Sequence, residues 1–283
     1  MTDTVAVAGT RVSGDAPAPV DAAPAGRATV LRHRVLRGPA GLPWWFEFVL
    51  LYGLYKAYSH VRNGVSWEAR STAYDTAADI LAVEDALHLA VERPLNEWTA
   101  GSDVLSAVMA LHYASFHLYL TPVVLVWLYR RRRACYRVAS SVWVGTTFLA
   151  LVGFYLFPTA PPRLMPASEG FVDVMRETSA WGWWSSSGSP GPDMISNQFA
   201  AMPSLHCAWA AWCGVVVLVL VRRTWVRVLA VLYPLVTFVS TMATGNHYLL
   251  DVVAGVVLLG LVGGAVLLLS RQIRNRPAPA AAG

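Results

Sequence analysis

Gly245-Asn246-His247-Tyr248-Leu249-Leu250-Asp251 runs straight into Val252-Val253-Ala254-Gly255-Val256-Val257-Leu258-Leu259-Gly260-Leu261-Val262-Gly263-Gly264-Ala265-Val266-Leu267-Leu268-Leu269-Ser270. The second stretch is uncharged for about the 20 residues that a helix needs to cross roughly 30 Å of hydrocarbon, so it reads as a membrane span. The first stretch sets a histidine and an aspartate at the mouth of that span, where ionisable groups are costly and mark function. Four residues along a helix bring His247 and Asp251 to one face, one turn apart. A carboxylate there accepts the imidazole Nδ1–H and leaves Nε2 as nucleophile or base. Gly245-Asn246 reads as a turn with Asn246 as N-cap, which places His247 in the first helical turn, at the positive end of the helix dipole. A polar pair that only packs helices is the plainer alternative.

The rest of the chain has the same character. Of its 283 residues 55% are hydrophobic and 14% charged, with a mean hydropathy of +0.45; a soluble domain carries about a quarter charged residues. Six spans are expected: Trp44–Val61, Leu105–Tyr129, Val138–Phe157, Leu205–Val221, Trp225–Ala243 and Tyr248–Ser270. They make an all-α polytopic membrane bundle. An interfacial helix is expected within residues 66–100, where Ile80, Leu81, Glu84, Leu87, His88 and Val91 recur at helical spacing among acidic residues. Residues 1–38 read as a disordered cytoplasmic arm, 39–270 as the six-span domain and 271–283 as a disordered cytoplasmic tail. No apolar core follows a basic start, so no cleaved signal is expected. Residues 158–203 form a long loop whose Trp181, Trp183 and Trp184 read as an interfacial belt, or as a lid over a lipid entrance. Cys135, Cys207 and Cys213 have no metal or disulfide spacing and read as small apolar packers.

A net charge of +5 raises the question of nucleic acid, and the placement of the arginines answers it. Sixteen fall on the N-terminal arm, the second-to-third connection (Arg130–Arg133, Arg137), the fourth-to-fifth (Arg222, Arg223, Arg227) and the tail. Five, Arg62, Arg70, Arg93, Arg163 and Arg176, fall on the opposite loops. That bias puts both termini in the cytoplasm and the acidic segment, the long loop, His206 and His247 outside. The partner is a bilayer and not nucleic acid. The expected location is the plasma membrane, with a multi-pass topology and an extracytoplasmic site.

Two further segments end at the same face. Pro203-Ser204-Leu205-His206 starts a span, and proline suits a first helical turn. The Ser204 hydroxyl and the unpaired N–H groups suit phosphate oxygens, and His206 suits a leaving oxygen; an ordinary helix start with an interfacial histidine is the alternative. Pro158-Thr159-Ala160-Pro161-Pro162-Arg163 sets Arg163 at the end of a stiff extended path. Its guanidinium grips two phosphate oxygens in a fork, or snorkels to headgroups. His112 and His117 stand about 140° apart around their helix; His117 either borders the site or bonds a neighbouring helix. Glu84, Asp85 and His88 read as a solvated face, or as a patch that contacts an acceptor headgroup.

Arg163, then Pro203-Ser204-x-His206, then His247-x-x-x-Asp251, in that order, resemble the type 2 phosphatidic acid phosphatase superfamily, which includes vanadium-dependent haloperoxidases. Tyr155-Leu156-Phe157-Pro158-Thr159-Ala160-Pro161-Pro162-Arg163, Met202-Pro203-Ser204-Leu205-His206, Gly245-Asn246-His247-Tyr248-Leu249-Leu250-Asp251, and Tyr113 followed by His117 look like its inositol phosphorylceramide synthase-like subgroup. The likeness runs over about residues 70–265. It implies that His247 attacks phosphorus to form a phosphohistidine and that Asp251 orients it. It implies that His206 protonates the leaving group and then activates the acceptor, while Arg163 and Ser204 bind phosphate oxygens. Asn246 and His117 would border the site. The resemblance further implies a metal-independent enzyme without a cofactor, a lipid phosphate substrate, and water or an alcohol as acceptor.

The chain departs from the phosphatase pattern twice. That pattern has Lys seven residues before the first arginine, where this chain has Leu156, and Ser-Arg ahead of the last histidine, where it has Ser240-Thr241. Arg163 then carries the anion's charge unaided or with Arg176, and the inositol-phosphotransferase-like branch is favoured over a plain phosphatase. The rivals are a transporter or scaffold that keeps the fold without the chemistry, and a vanadate-dependent peroxidase. Six spans and the missing cations speak against the peroxidase.

Overall fold

The acidic segment, expected to hold one surface-lying helix, folds as two: α1 (Trp67–Ala86) and α2 (Glu92–Ala100). The computed structural model describes residues 67–185 and 198–275, with the helical positions 49, 50, 52, 53 and 56. The N-terminal arm and, apart from those positions, the first expected span lie outside the described residues. Helix α1 stops because His88 takes a left-handed conformation, φ 58°. The His88 N–H donates to the Asp85 carbonyl at 3.1 Å and the Leu89 N–H to the Glu84 carbonyl at 2.8 Å, the paired bonds of a Schellman cap. The periodic set therefore splits. Ile80, Leu81 and Glu84 are buried, while Leu87, His88 and Val91 are exposed.

Five apolar helices follow. α3 (Asp103–Arg131) is capped by Ser102, whose Oγ accepts the Leu105 N–H at 3.4 Å. α4 (Arg133–Leu156) begins one residue later. The connection expected over Arg130–Arg137 thus shrinks to Arg132, and its other arginines extend the helix ends instead. After a loop with two single 3₁₀ turns and the short α5 (Val174–Glu177) come α6 (Leu205–Leu220), α7 (Thr224–Ala243) and α8 (Leu249–Asn275). Helices α3, α4, α7 and α8 are long and apolar enough to cross a membrane; α6, at 16 residues, is shorter. α8 carries on to Asn275, so the first five residues read as a tail are helix.

The shortest apolar helix is the innermost. α6 packs against α3, α4, α7 and α8, and Cys207, Ala208, Ala210, Trp212, Cys213 and Gly214 on it are buried. Small residues let helix backbones approach closely in a bilayer. Trp212 joins Leu125, Leu128, Tyr136, Trp143, Cys213 and Leu259 in the central apolar cluster. Cys207 and Cys213 are buried packers here, as expected, in no disulfide and with their sulfurs beside the Thr241 and Thr121 hydroxyls. Large side chains that face outward from α3, α4, α7 and α8, among them Val123, Leu149, Leu232 and Leu261, are exposed and would meet lipid. This all-helical membrane bundle, with its N-terminal ends of α6 and α8 side by side, is what places the chemistry.

Candidate active site

Three loops converge over those two helix starts. The stretch before Arg163 is extended and pairs with the stretch before Pro203: the Thr159 N–H donates to the Phe199 carbonyl at 2.9 Å and the Ala201 N–H to the Thr159 carbonyl at 3.3 Å. The Arg163 N–H donates to the Gly245 carbonyl at 2.8 Å. Gly245 takes φ +71°, and a Cβ there would press on the Val172 carbonyl and the Arg163 and Asn96 side chains, so only glycine fits this turn. The Ser204 N–H donates to the Asp251 carbonyl at 3.0 Å.

His247 lies ahead of α8, two residues before its first turn, and not within it as expected. Asn246 is not the N-cap. The Asp251 carboxylate reaches back instead, and its Oδ2 accepts the Tyr248 N–H at 2.9 Å, the reciprocal half of a capping box. The same Oδ2 stands 3.4 Å from His247 Nδ1, while the Ala201 carbonyl oxygen stands closer, at 2.9 Å. A carbonyl only accepts, so Nδ1 carries the proton and Nε2 keeps its lone pair. The expected His–Asp pair is therefore present, but the shorter bond fixing the ring comes from a backbone atom that no side-chain pattern reveals.

His206, in the first turn of α6, has its ring centre 5.9 Å from that of His247. The two rings are too far apart to bond each other and close enough for one tetrahedral anion to reach both. Tyr113 stacks on His206 at 4.4 Å and stands edge-on to His247 at 6.5 Å. His117 meets His206 edge-on at 4.3 Å and bonds the Tyr113 carbonyl through Nδ1 at 3.0 Å. His117 thus lies against His206, and among the described residues it makes no bond to another helix, whereas His112 does, to Thr237 at 3.0 Å.

Arg163 is buried beside them. Its Nε donates to Asn246 Oδ1 at 3.0 Å and its Nη1 to Asp173 Oδ2 at 3.1 Å. Asn246, one residue from His247, so aims the guanidinium and is itself held by Thr244 Oγ1 at 2.9 Å. Ser204 is fully buried and caps α6, its Oγ accepting the Cys207 N–H at 3.4 Å. Of the residues expected at the site, His206, His247, Asp251, Arg163, Ser204, Asn246 and His117 all come together. Arg176 does not: its side chain is exposed on α5, and its backbone N–H donates to Asp173 Oδ1 at 3.0 Å. No basic side chain stands where the phosphatase pattern has two more, since Leu156 is 60% exposed and Ser240 and Thr241 bond carbonyls of their own helix.

Glu84, expected on a solvated face, is instead buried, and so is Glu92. Glu84 Oε1 accepts the Leu250 N–H at 2.6 Å, satisfying a donor that the start of α8 leaves open. Glu92 is buried next to it, and burial raises both carboxyls, Glu84 from 4.5 to about 8. Trp184 likewise leaves the expected interfacial belt and packs with Tyr113, Val174 and Met175, while Trp181 and Trp183 remain exposed. Among the described residues no group of three or more His, Cys, Asp or Glu could hold a metal ion.

Comparison with known proteins yields no match to a curated protein and none to a solved structure. It does yield a family: the sequence model of the PAP2 superfamily matches residues 78–265, which include every site residue described above. This chain, a membrane helical bundle that brings Arg163, His206 and His247 together at one end, belongs to the PAP2 superfamily.

Proposed function

We propose that the protein transfers the phosphoryl part of a lipid phosphate through a phosphohistidine on His247, without a metal ion. Membership of the superfamily carries phosphatase or phosphotransferase activity on phosphate esters; the single observation that supports the rest is the tie of His247 Nδ1 to the Ala201 carbonyl at 2.9 Å. It leaves Nε2 its lone pair. In the first step Nε2 attacks phosphorus, the bond from phosphorus to the leaving oxygen breaks, and His206 supplies that oxygen's proton. In the second, His206 takes a proton from water or from an acceptor alcohol, whose oxygen displaces His247. Asp251 orients the ring and stabilises the charge it gains. Arg163 holds phosphate oxygens, and Ser204 shapes the N-terminal end of α6 around them.

The site lies at the arginine-poor ends of α4, α6 and α8, and Arg130–Arg133 and Arg222–Arg223 mark the opposite ends. The positive-inside bias supports a plasma-membrane protein with both termini cytoplasmic and the site outside. The absence of basic residues at Leu156 and Thr241 supports transfer of a phospho-headgroup, such as inositol phosphate, over hydrolysis of a doubly charged monoester. The test is purified protein in detergent against a panel of phospholipids and polyprenyl phosphates. Released inorganic phosphate marks hydrolysis; a new phospholipid without it marks transfer. His247→Ala should abolish either product. Full activity in that variant would remove His247 as nucleophile, and no turnover of any phosphate ester by the wild type would favour a transporter or scaffold.

A further inference from the structure

We propose that Asp173 is a specificity-determining residue that discriminates against doubly charged phosphate at the Arg163 site. The inference rests on the phosphoryl-transfer reading above. Arg163 is the guanidinium the site turns toward an anion, and its Nη1 is already paired with Asp173 Oδ2 at 3.1 Å. Both partners are largely buried, with side-chain exposures of 3% and 16%, so water screens the pair poorly. The pair lies beside the histidines: Arg163 Nε bonds Oδ1 of Asn246, the residue before His247, at 3.0 Å.

Asp173 is itself held in place from two sides. Its Oδ1 caps α5 by accepting the Arg176 N–H at 3.0 Å. The residue before it is clamped by Asn96, which accepts the Val172 N–H at 2.8 Å and donates to the Val172 carbonyl at 3.0 Å and the Ala243 carbonyl at 2.9 Å. A phosphate entering the site therefore meets a balanced pair and not a bare cation. Leu156 and Thr241 stand where the phosphatase pattern has a lysine and an arginine, so those two positions add no positive charge. A phosphodiester brings one negative charge to this pair and a phosphomonoester brings nearly two. One unit charge about 6 Å away, at an effective dielectric of about 20, changes an anion's binding by roughly 100-fold per unit of its own charge, and residual solvent lowers this toward roughly 10-fold. Asp173 thus acts on the ratio between the two ester classes.

The test uses the full chain in detergent with matched lipids, a phosphatidic acid and a singly charged phosphodiester phospholipid, and reads kcat/KM for each. Asp173→Asn keeps an N-cap acceptor and removes the charge. It should raise the monoester-to-diester ratio by about 10- to 100-fold, while Asp173→Glu should hold the wild-type ratio. Should Asp173→Asn fail to fold, Asp173→Ser removes the same charge and keeps a cap. A ratio within about threefold of wild type in the neutral variants, with turnover retained, overturns the proposal and leaves the phosphoryl-transfer reading intact. Absence of turnover of both esters by the wild type overturns both.

Discussion

Gly255 sits one turn beyond Asp251 on α8, at the point where this helix crosses the start of α6. A Cβ built on it would lie far inside contact distance of the Ser204 carbonyl oxygen, with the Ser204 carbon at 3.2 Å and nitrogen at 3.4 Å. These are backbone atoms and cannot turn aside as a side-chain tip can. Gly255→Ala must therefore push α8 away from the Ser204 segment by roughly 1 Å, and overpacking of that kind costs about 1–3 kcal/mol. The shift strains the 3.0 Å bond from the Ser204 N–H to the Asp251 carbonyl and carries His247 away from His206. A displacement of about 1 Å between reacting groups is worth about 100-fold in rate. Gly260 supplies the control. It lies on the same helix, a Cβ there meets nothing within 4 Å, and exchange for alanine gains up to about 1 kcal/mol of helix propensity. The assay is turnover of the best lipid in the panel, alongside thermal unfolding of each purified variant in detergent. Gly255→Ala should lose about two orders of magnitude in kcat while Gly260→Ala stays within about twofold of wild type. Equal activities in the two variants would refute the claim that contact between α8 and the Ser204 backbone sets the distance between the histidines.

Arg163→Lys keeps the charge but forfeits the fork that bonds Asn246 and Asp173 at once; kcat/KM should fall about 100-fold, and a fall below about threefold would show that the bond geometry is unimportant. Glu84 has a carboxyl raised from 4.5 to about 8 by burial, with Glu92 and Asp251 adding to it. Its protonated form is the one the fold favours, so its contribution is complete below about pH 4.5, declines as pH rises through about 8 and changes no further above that. Glu84→Gln keeps an acceptor for the Leu250 N–H, and its thermal midpoint in detergent should vary less across that window than the wild-type midpoint; parallel curves would count against the assignment.

The histidines and Asp251 were legible in the sequence because each sits at a change from turn to apolar helix, and few residue types belong there. Spacing alone put Asp251 within reach of His247. Other parts were hidden for separate physical reasons. The acceptor that fixes His247 is the Ala201 carbonyl, a group every residue carries. Glu84 looked solvated because a carboxylate among apolar positions usually is, yet the unpaired donors at the start of α8 demand an acceptor, and α1 supplies it. The break after Ala86 was missed because the left-handed cap is a histidine and not the usual glycine. Asp173 lies in a long aperiodic loop. An aspartate there suits the N-cap it forms for α5 through the Arg176 backbone N–H, which points to a short helix and not to a partner ten residues earlier.

The three motif segments are joined pairwise by main-chain bonds, to which the side-chain bonds of Arg163 to Asn246 and of His247 to the Ala201 carbonyl are added. The Ala201 N–H to the Thr159 carbonyl links the arginine segment to the first histidine segment. The Arg163 N–H to the Gly245 carbonyl links it to the second, and the Ser204 N–H to the Asp251 carbonyl closes the triangle. Tyr248 braces it further, donating from its hydroxyl to the Ala160 carbonyl at 3.1 Å. A frame of backbone bonds, mostly buried by the helices beneath it, does not depend on the imidazole or guanidinium groups it presents. Substitution of His247 or His206 should therefore remove chemistry while the thermal midpoint stays near that of the wild type. Substitution of Gly245 or Gly255, which carry no reactive group, should disturb both. That separation distinguishes a pre-assembled site from one that forms only when an anion draws its side chains together.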